Sequence, residues 1–353
     1  MRTAKRITAA DVARLARVST ATVSLIVNGK SDGRVSAGTR DRVLAAVDEL
    51  GYRVDAVARE LATGRRHGVG LIVPDLANPY FSQLTQGVAA GLGAGHRLSL
   101  IIADPVRDPD PGSLDRILAG GVAGILAEAP AADLIRELDG RAPVVVLDRP
   151  SPEADHPYVG FALDDGARAL ADHLLELGHT RIGYLDADIG APTFEVRRSR
   201  MERRLRETAG HGFTGPAVRC RTEIDAAAEA FAARWDAWRA AGVTALVCAA
   251  DVHAYGVLRA AGRLGVAVPG ELSVAAFDDL PFSAVTGPPL TTVRLSAFDL
   301  GVRAAELLVG VMGGRPMDAA VPLLPATLRV RGSTAPPRRP PGPGPGSASG
   351  GGR

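Results

Sequence analysis

The chain has 353 residues, too many for one comfortable core, so two or three domains are expected. Its make-up, 46% hydrophobic and 23% charged, is that of a globular protein, and no apolar run approaches the roughly 20 residues that a membrane-spanning helix needs. Charge is uneven: residues 1–66 carry 13 Lys and Arg against 7 Asp and Glu, a net +6, whereas residues 67–334 carry a net −7, so only the head is expected to meet a polyanion.

At the N-terminus, MRTAKRITAADVARLARV lacks the apolar segment of a signal peptide. Cys220 and Cys248 are too few for a disulfide framework, so both are expected to be reduced and the protein cytoplasmic. Val12, Leu15 and Ala16 recur at helical spacing and predict a helix over Ala10–Arg17. Val18-Ser19 makes a turn with Ser19 placed to cap the next helix, Thr20–Val27, which buries Val23, Ile26 and Val27 and ends at Asn28-Gly29. Ser19, Thr20, Thr22 and Ser24 are poor choices for a helix interior. They make sense on a helix-turn-helix, whose second helix enters the DNA major groove, because short side chains let the backbone approach phosphates and hydroxyls donate to them. A small surface hairpin of helices is the plainer alternative. A third helix begins at Val35-Ser36 with Thr39, carries Val43, Leu44, Val47 and Leu50 on its inner stripe, and stops at Gly51. Asp55 then caps a segment with Val57, Ala58 and Leu61 that ends near Gly64 and is too short to be a stable helix alone.

The body alternates strands and helices. Strands are predicted at Val69–Val73, Leu98–Ala103, Gly124–Ala127, Val144–Leu147, Arg181–Leu185, Ala245–Ala249 and Ser273–Phe277, with helices such as Phe81–Leu92, Ala167–Leu177 and Val252–Leu264 between them. This is a doubly wound α/β pattern with parallel sheets buried on both faces, and ligands in such folds sit outside the carboxyl ends of strands. Neither H-E-x-x-H nor C-x-x-C occurs. His173 and His179 bracket a helix end and are as easily structural, while Gly91–Gly95 ends a helix and so makes a poor phosphate loop. No catalysis, cofactor or metal is expected. The tail, 335–353, is rich in Pro and Gly, cannot bury a core, and is expected to be disordered.

The segments DVARLARVSTATVSLIVNG, VSAGTRDRVLAAVDELGY, DAVARELATGR, GLIVPDLANPYFSQLTQGV, LGHTRIGYL, SVAAFDDL, PPLTTVR and RVRGST occur in an order that resembles the LacI/GalR family of bacterial transcriptional regulators. The resemblance implies a helix-turn-helix head over 1–54 and a hinge helix and linker over 55–67. It further implies a two-lobed core over 68–334 similar to periplasmic sugar-binding proteins, and a homodimer, or a higher assembly, on a pseudo-palindromic double-stranded operator. Lobe one is placed at about 68–163 plus 292–323 and lobe two at 164–291 plus 324–334. Base-reading positions fall on Thr20, Ala21 and Leu25, and phosphate contacts on Ser19, Thr22, Ser24, Asn28 and Arg40. Leu25 stands where relatives often carry Arg or His, so bidentate guanine recognition is lost there, and the side chain either meets a thymine methyl or merely packs. Leu61 takes the place of the leucine that wedges into the minor groove, and Ala62 replaces the basic residue that some members place beside it.

For the effector, the resemblance points to Asp75, Asn78, Tyr80 and Phe81 after the first strand, to Asp148 and Arg149 at the end of PVVVLDR, and to Arg200, Asp251 and Asp278 from the second lobe. Carboxylates and arginines at strand ends suit sugar hydroxyls, though any one of them could instead stitch lobes or protomers. Ala250 stands where sugar binders often have Asn, Leu295 where they often have Gln, and Arg203 replaces the usual glycine after the arginine. Two lost amides favour a ligand with an apolar or missing hydroxyl there, such as a deoxy sugar, a glycoside or a nucleoside. The expectation is a non-enzymatic repressor controlled by a small sugar-like or nucleoside-like effector. A solute-binding protein without DNA function and a regulator that has lost effector control are the alternatives.

Overall fold

The computed structural model describes residues 7–27, 31, 33–52, 68–102, 115, 118, 121–129, 132–138, 140–148, 156–189, 191–210, 212–314 and 322–338. Asn28, Arg149, most of the tail and the whole segment 53–67, with Leu61, lie outside these residues. The chain divides into two compact units, Met1–Arg66 and His67–Arg353.

The first unit contains α1 (Ala9–Ala16), α2 (Thr20–Val27) and α3 (Ala37–Leu50). Thr8 and Asp11 start α1 reciprocally: the Thr8 backbone N–H donates to Asp11 Oδ2 at 3.0 Å and its hydroxyl to the same oxygen at 2.7 Å. These bonds hold the Asp11 carboxyl below its usual range. Arg17 closes the helix in the left-handed conformation (φ 54°). Val12, Ala13, Ala16, Val23, Ile26, Val43 and Ala46 form a closed apolar cluster. Leu15 and Leu44, expected on the inner stripes, are instead exposed; the three helices approach closely enough that Ala13 and Ala46 fill the centre.

The second unit holds two sheets. In the first, the order is β2-β1-β3-β4-β5, all parallel, from β1 (Gly68–Val73), β2 (Arg97–Ile102), β3 (Val122–Glu128), β4 (Val144–Leu147) and β5 (Tyr158–Val159). Alternate strand residues face opposite ways. Leu71, Leu126 and Val145 meet α4 (Pro79–Leu92), while Ile72, Ile125 and Val146 meet α5 (Ala132–Leu138). Burial on both faces does not extend to β2, an edge strand whose Leu100 and Ile102 are exposed.

In the second sheet the order is β11-β10-β9-β8-β6-β7, from β6 (Ile182–Ala187), β7 (Val218–Cys220), β8 (Ala245–Cys248), β9 (Ser273–Asp278), β10 (Thr291–Leu295) and β11 (Ala326–Arg329). Only β11 is antiparallel among these pairings. One face packs on α6 (Leu163–Glu176) and α7 (Pro192–Ala209), the other on α8 (Ile224–Ala240) and α9 (Asp251–Leu264). Cys220 and Cys248 are buried and unpaired.

β10 belongs to the second sheet, paired with β9 and β11, so residues 292–295 fall in lobe two and not in lobe one as the sequence reading has it. The chain crosses back only at Ser296, which caps α10 (Ala297–Met312). α10 packs on α4 so closely that a Cβ on Gly87 would lie 2.0 Å from the Phe298 carbonyl oxygen. The other two crossings run side by side: Leu324 N–H donates to the Gly160 carbonyl and Ala162 N–H to the Leu324 carbonyl, both at 2.8 Å. The tail begins later than 335. Ala335 bonds through its N–H to Ser273 Oγ, and its carbonyl accepts from the Ser273 hydroxyl and lies 2.9 Å from His179 Nε2. Among the described residues no helix is long and apolar enough to cross a membrane.

Candidate functional site

Two parts of the molecule present candidate functional side chains. In the head, Ser19 caps α2: its Oγ accepts the Thr22 N–H at 3.1 Å and lies 2.9 Å from Thr22 Oγ1. Val23 and Ile26 anchor the inner face, which turns Thr20, Ala21 and Ser24 outward and leaves Thr22 and Leu25 half-buried. Arg40, on α3, is exposed. The α2 surface is therefore small, polar and free of bulk at its N-terminal end, where the helix dipole favours an anion.

The other site lies where the lobes meet. β1, β3 and β4 are adjacent and parallel, with Ile72 opposite Ala127 and Glu128 opposite Leu147, so Asp75, Glu128 and Asp148 gather at one end of the first sheet. Asp75 Oδ1 accepts the Asn78 N–H at 2.9 Å, and Asn78 Oδ1 accepts the Tyr80 N–H at 3.0 Å, starting α4 and leading its first turn inward. Tyr80 is 4% exposed and meets Phe81 edge-on at 5.4 Å between centroids. Across from them, the Thr193 hydroxyl donates to Asp148 Oδ2 at 2.9 Å, bonding lobe to lobe. One turn further along α7, Arg197 donates through one terminal nitrogen to Asp278 Oδ1 and to the Ala249 carbonyl, both at 2.8 Å. Its guanidinium lies 5.2 Å from the Phe194 ring centre and 5.5 Å from that of Phe277.

Arg197 is 3% exposed and Asp148 2%, so these charges are nearly dry. Burial opposes the Arg197 cation, but Asp278 and then Asp148 more than offset it and raise its pKa. Burial pushes the Asp148 carboxyl up to about 6, against the pull of Arg197 and the Thr193 hydrogen bond. Glu128 is driven well above the usual carboxylate range by burial and by Asp148. Ala129 (φ 36°), Asp148 (φ 49°) and Asp278 (φ 121°) sit in backbone conformations that side chains avoid, each at the carboxyl end of a strand. Such residues cost of order 1–3 kcal/mol each and concentrate at functional sites.

Two expected members lie elsewhere. Arg200 points away, pairing with Asp164 of α6 at 2.8 Å beside a shallow concavity of about 310 Å³ that Arg168, Arg203, Arg204 and Glu207 also line. Asp251 is fully buried and committed internally. Its carboxylate accepts from the Leu280 N–H at 2.8 Å, from the Thr292 hydroxyl at 2.6 Å and from the Ser283 hydroxyl, tying α9 to the turn after β9 and to β10.

Residues 8–55 match the bacterial regulatory proteins of the lacI family, and residues 171–334 match a periplasmic binding protein-like domain. The transcriptional regulator reg1 of Streptomyces lividans is 35% identical over 352 residues, covering 92% of this chain and 96% of its own. The chain belongs to the LacI family of bacterial transcriptional regulators. The repressor CytR of Escherichia coli is 30% identical over 355 residues, 95% of this chain and 99% of its own. The crystal structure of the lac repressor dimer bound to operator and the anti-inducer ONPF is similar, with a TM-score of 0.82 at 26% identity over 94% of this chain and 100% of that one.

As a LacI-family protein the chain is a DNA-binding transcriptional regulator and not an enzyme. Arg197, Thr193 and Glu128 are absent from the sequence reading. α7 carries six arginines, and the one buried between the lobes is Arg197, three residues before the expected Arg200. A signal was present: Thr193, Arg197, Met201 and Leu205 are spaced four apart, and all four are buried. His173 and His179 are structural, bonded at 2.9 Å to Thr334 Oγ1 and to Thr244 Oγ1 respectively.

Proposed function

We propose that the protein is a homodimeric repressor that reads a pseudo-palindromic operator and releases it when a small polyhydroxylated effector occupies the interlobe site. The observation that carries the effector half is the buried group of Asp148, Thr193, Arg197 and Asp278, drawn from both lobes and joined by hydrogen bonds across them. A ligand that competes for Asp148 and Arg197 changes the lobe contact directly, which is the differential interaction that any coupling to DNA binding requires. Asp75, Asn78, Tyr80, Phe81 and Arg149 complete the proposed first-lobe side. Arg197 takes the role expected of Arg200, and Asp251 supports the second lobe from inside.

On DNA, Thr20, Ala21 and Leu25 read bases, while Ser19, Thr22, Ser24, Asn28 and Arg40 hold phosphates, and residues 55–67 form a hinge whose Leu61 wedges the minor groove. The lac repressor was crystallised as a dimer on operator, and a cellobiose complex of the regulator CelR is 28% identical with a TM-score of 0.66. These support a dimer and a sugar-like ligand. The exposed apolar residues Leu100 and Ile102 on one sheet edge, and Phe282 and Val285 in lobe two, are surfaces a partner protomer would cover. Ala250 and Leu295 are both buried, and their side chains offer no hydrogen bond. The effector is accordingly a deoxy sugar, glycoside or nucleoside in preference to a free hexose.

The test is operator selection from random duplexes, followed by screening for release. A symmetric site bound by a dimer is expected, with affinity falling steeply as salt rises through counterion release. Recovery of no symmetric site refutes the DNA half. A site that no ligand releases refutes the effector half.

A further inference from the structure

Among the described residues, the carboxyls of the interlobe site outnumber its arginine, Arg197. Asp75, Glu128 and Asp148 end neighbouring strands of the first sheet, and Asp278 ends β9 in the second. Against these four carboxyls stands Arg197, whose hydrogen bonds already go to Asp278 and the Ala249 carbonyl. Asp148 uses Oδ2 to receive the Thr193 hydroxyl, while its Oδ1, equally buried, has no hydrogen-bond partner among the described residues. The Tyr80 hydroxyl, also buried, is likewise without one.

Both orphan atoms belong to the same place. Tyr80 lies in the first turn of α4, the helix that follows β1, and Glu128 and Asp148 end β3 and β4 beside it, so all three stand at the same end of the first sheet. The site thus presents a carboxylate oxygen without a donor, a second carboxyl beside it and a phenol oxygen. A neutral hydroxyl brings one proton to such a set and leaves the charge standing. An ammonium group brings three N–H donors and a compensating charge, and its donors match the three acceptors in number. A phosphate or carboxylate ligand would place negative charge against at least two buried carboxyls, which the low local dielectric penalises most.

We infer that the effector is an amine-bearing polyol, such as an amino sugar, whose primary ammonium is received by Asp148 Oδ1, the Glu128 carboxyl and the Tyr80 hydroxyl. This rests on the interlobe site being the effector site. It adds Glu128 as a specificity residue and assigns Asp278 and Arg197 to the ligand's hydroxyls on the opposite side.

Matched triples test it on the full-length protein: glucose, glucosamine and glucose 6-phosphate, then galactose, galactosamine and galactose 6-phosphate, by calorimetry and thermal shift at pH 7.5. The amino sugar of at least one triple is expected to bind tenfold or more tighter than its parent, with the phosphates silent. Glu128→Gln is expected to bring that amino sugar to parity with the parent, and Tyr80→Phe to weaken the amino sugar selectively should the first variant fold poorly. Binding of a parent or a phosphate as tight as that of its amino counterpart overturns the inference, as does a preference that survives Glu128→Gln. A flat response to all six also overturns it. Whether the cleft holds an effector at all is read separately, from release of operator by neutral glycosides and nucleosides in the native protein and in Arg197→Met.

Discussion

Replacing Arg197 by Met keeps the length of the side chain and its contacts with Phe194 and Phe277 but removes the one cation that, among the described residues, pairs with Asp278. Both members of that pair are nearly inaccessible, at 4% and 3% side-chain exposure. Removing one partner of a buried pair costs about 3–5 kcal/mol, because the remaining charge has no compensation. The Ala249 carbonyl loses its donor as well. For a domain of this size each kcal/mol moves Tm by about 2–4 °C, so the core is expected to melt roughly 6–20 °C lower at pH 7.5. The loss should be pH-dependent. Without Arg197 the folded-state pKa values of Asp278 and Asp148, already raised by burial, rise further. Between the unfolded pKa near 3.8 and those raised values the folded variant binds protons that the unfolded chain does not, so the variant regains stability as pH falls. Urea unfolding at pH 5 and pH 7.5 measures this, and Arg197→Met combined with Asp278→Asn should recover part of the loss at the higher pH. Equal destabilisation at both pH values, or none at either, would refute the account of a buried, charge-compensated pair.

Arg200→Ala should change stability by less than about 1 kcal/mol, because its pairing with Asp164 is largely exposed, and should leave ligand-induced operator release intact; loss of release would return Arg200 to the effector site. Ser19→Ala removes the cap of α2 and is expected to cost the head about 1 kcal/mol and to weaken operator binding, read by calorimetry and by titration of labelled operator. Asp148→Asn bears on the opposite sign of the same electrostatics. The native carboxyl is favoured in its protonated form by folding, so its penalty is absent below pH 4, grows between about 4 and about 6, and is complete above; its removal should stabilise the core by at most about 3 kcal/mol at pH 7.5 and by nothing near pH 4. Gly87→Ala places a methyl against the Phe298 carbonyl and should lower stability by about 1–3 kcal/mol or more, with α4 and α10 forced apart; an unchanged Tm would mean the two helices are not held at this distance.

Local patterns carried much of this protein in plain view. The helices of the head follow from spacing and caps that act within a few residues: Val12 with Ala16, Ser19 before Thr20, Gly51 after Leu50. The central strands follow from short apolar runs, because a strand buried on both faces needs no partner to be recognised as apolar. Tertiary structure decided what depends on which neighbour a residue meets. Thr291–Leu295 reads the same whichever sheet it joins, and only its pairing with Phe277 and Leu328 puts it in the second lobe. Leu15 and Leu44 share a helical stripe with buried residues yet lie outside, since the closeness of three short helices sets where the interior ends. Arg197 and Arg200 are chemically identical and differ by one turn of α7. The lobe that α7 packs against selects one of them for burial beside Asp278 and leaves the other at the surface with Asp164, because charge can be taken out of water only where a fixed counter-charge is already waiting.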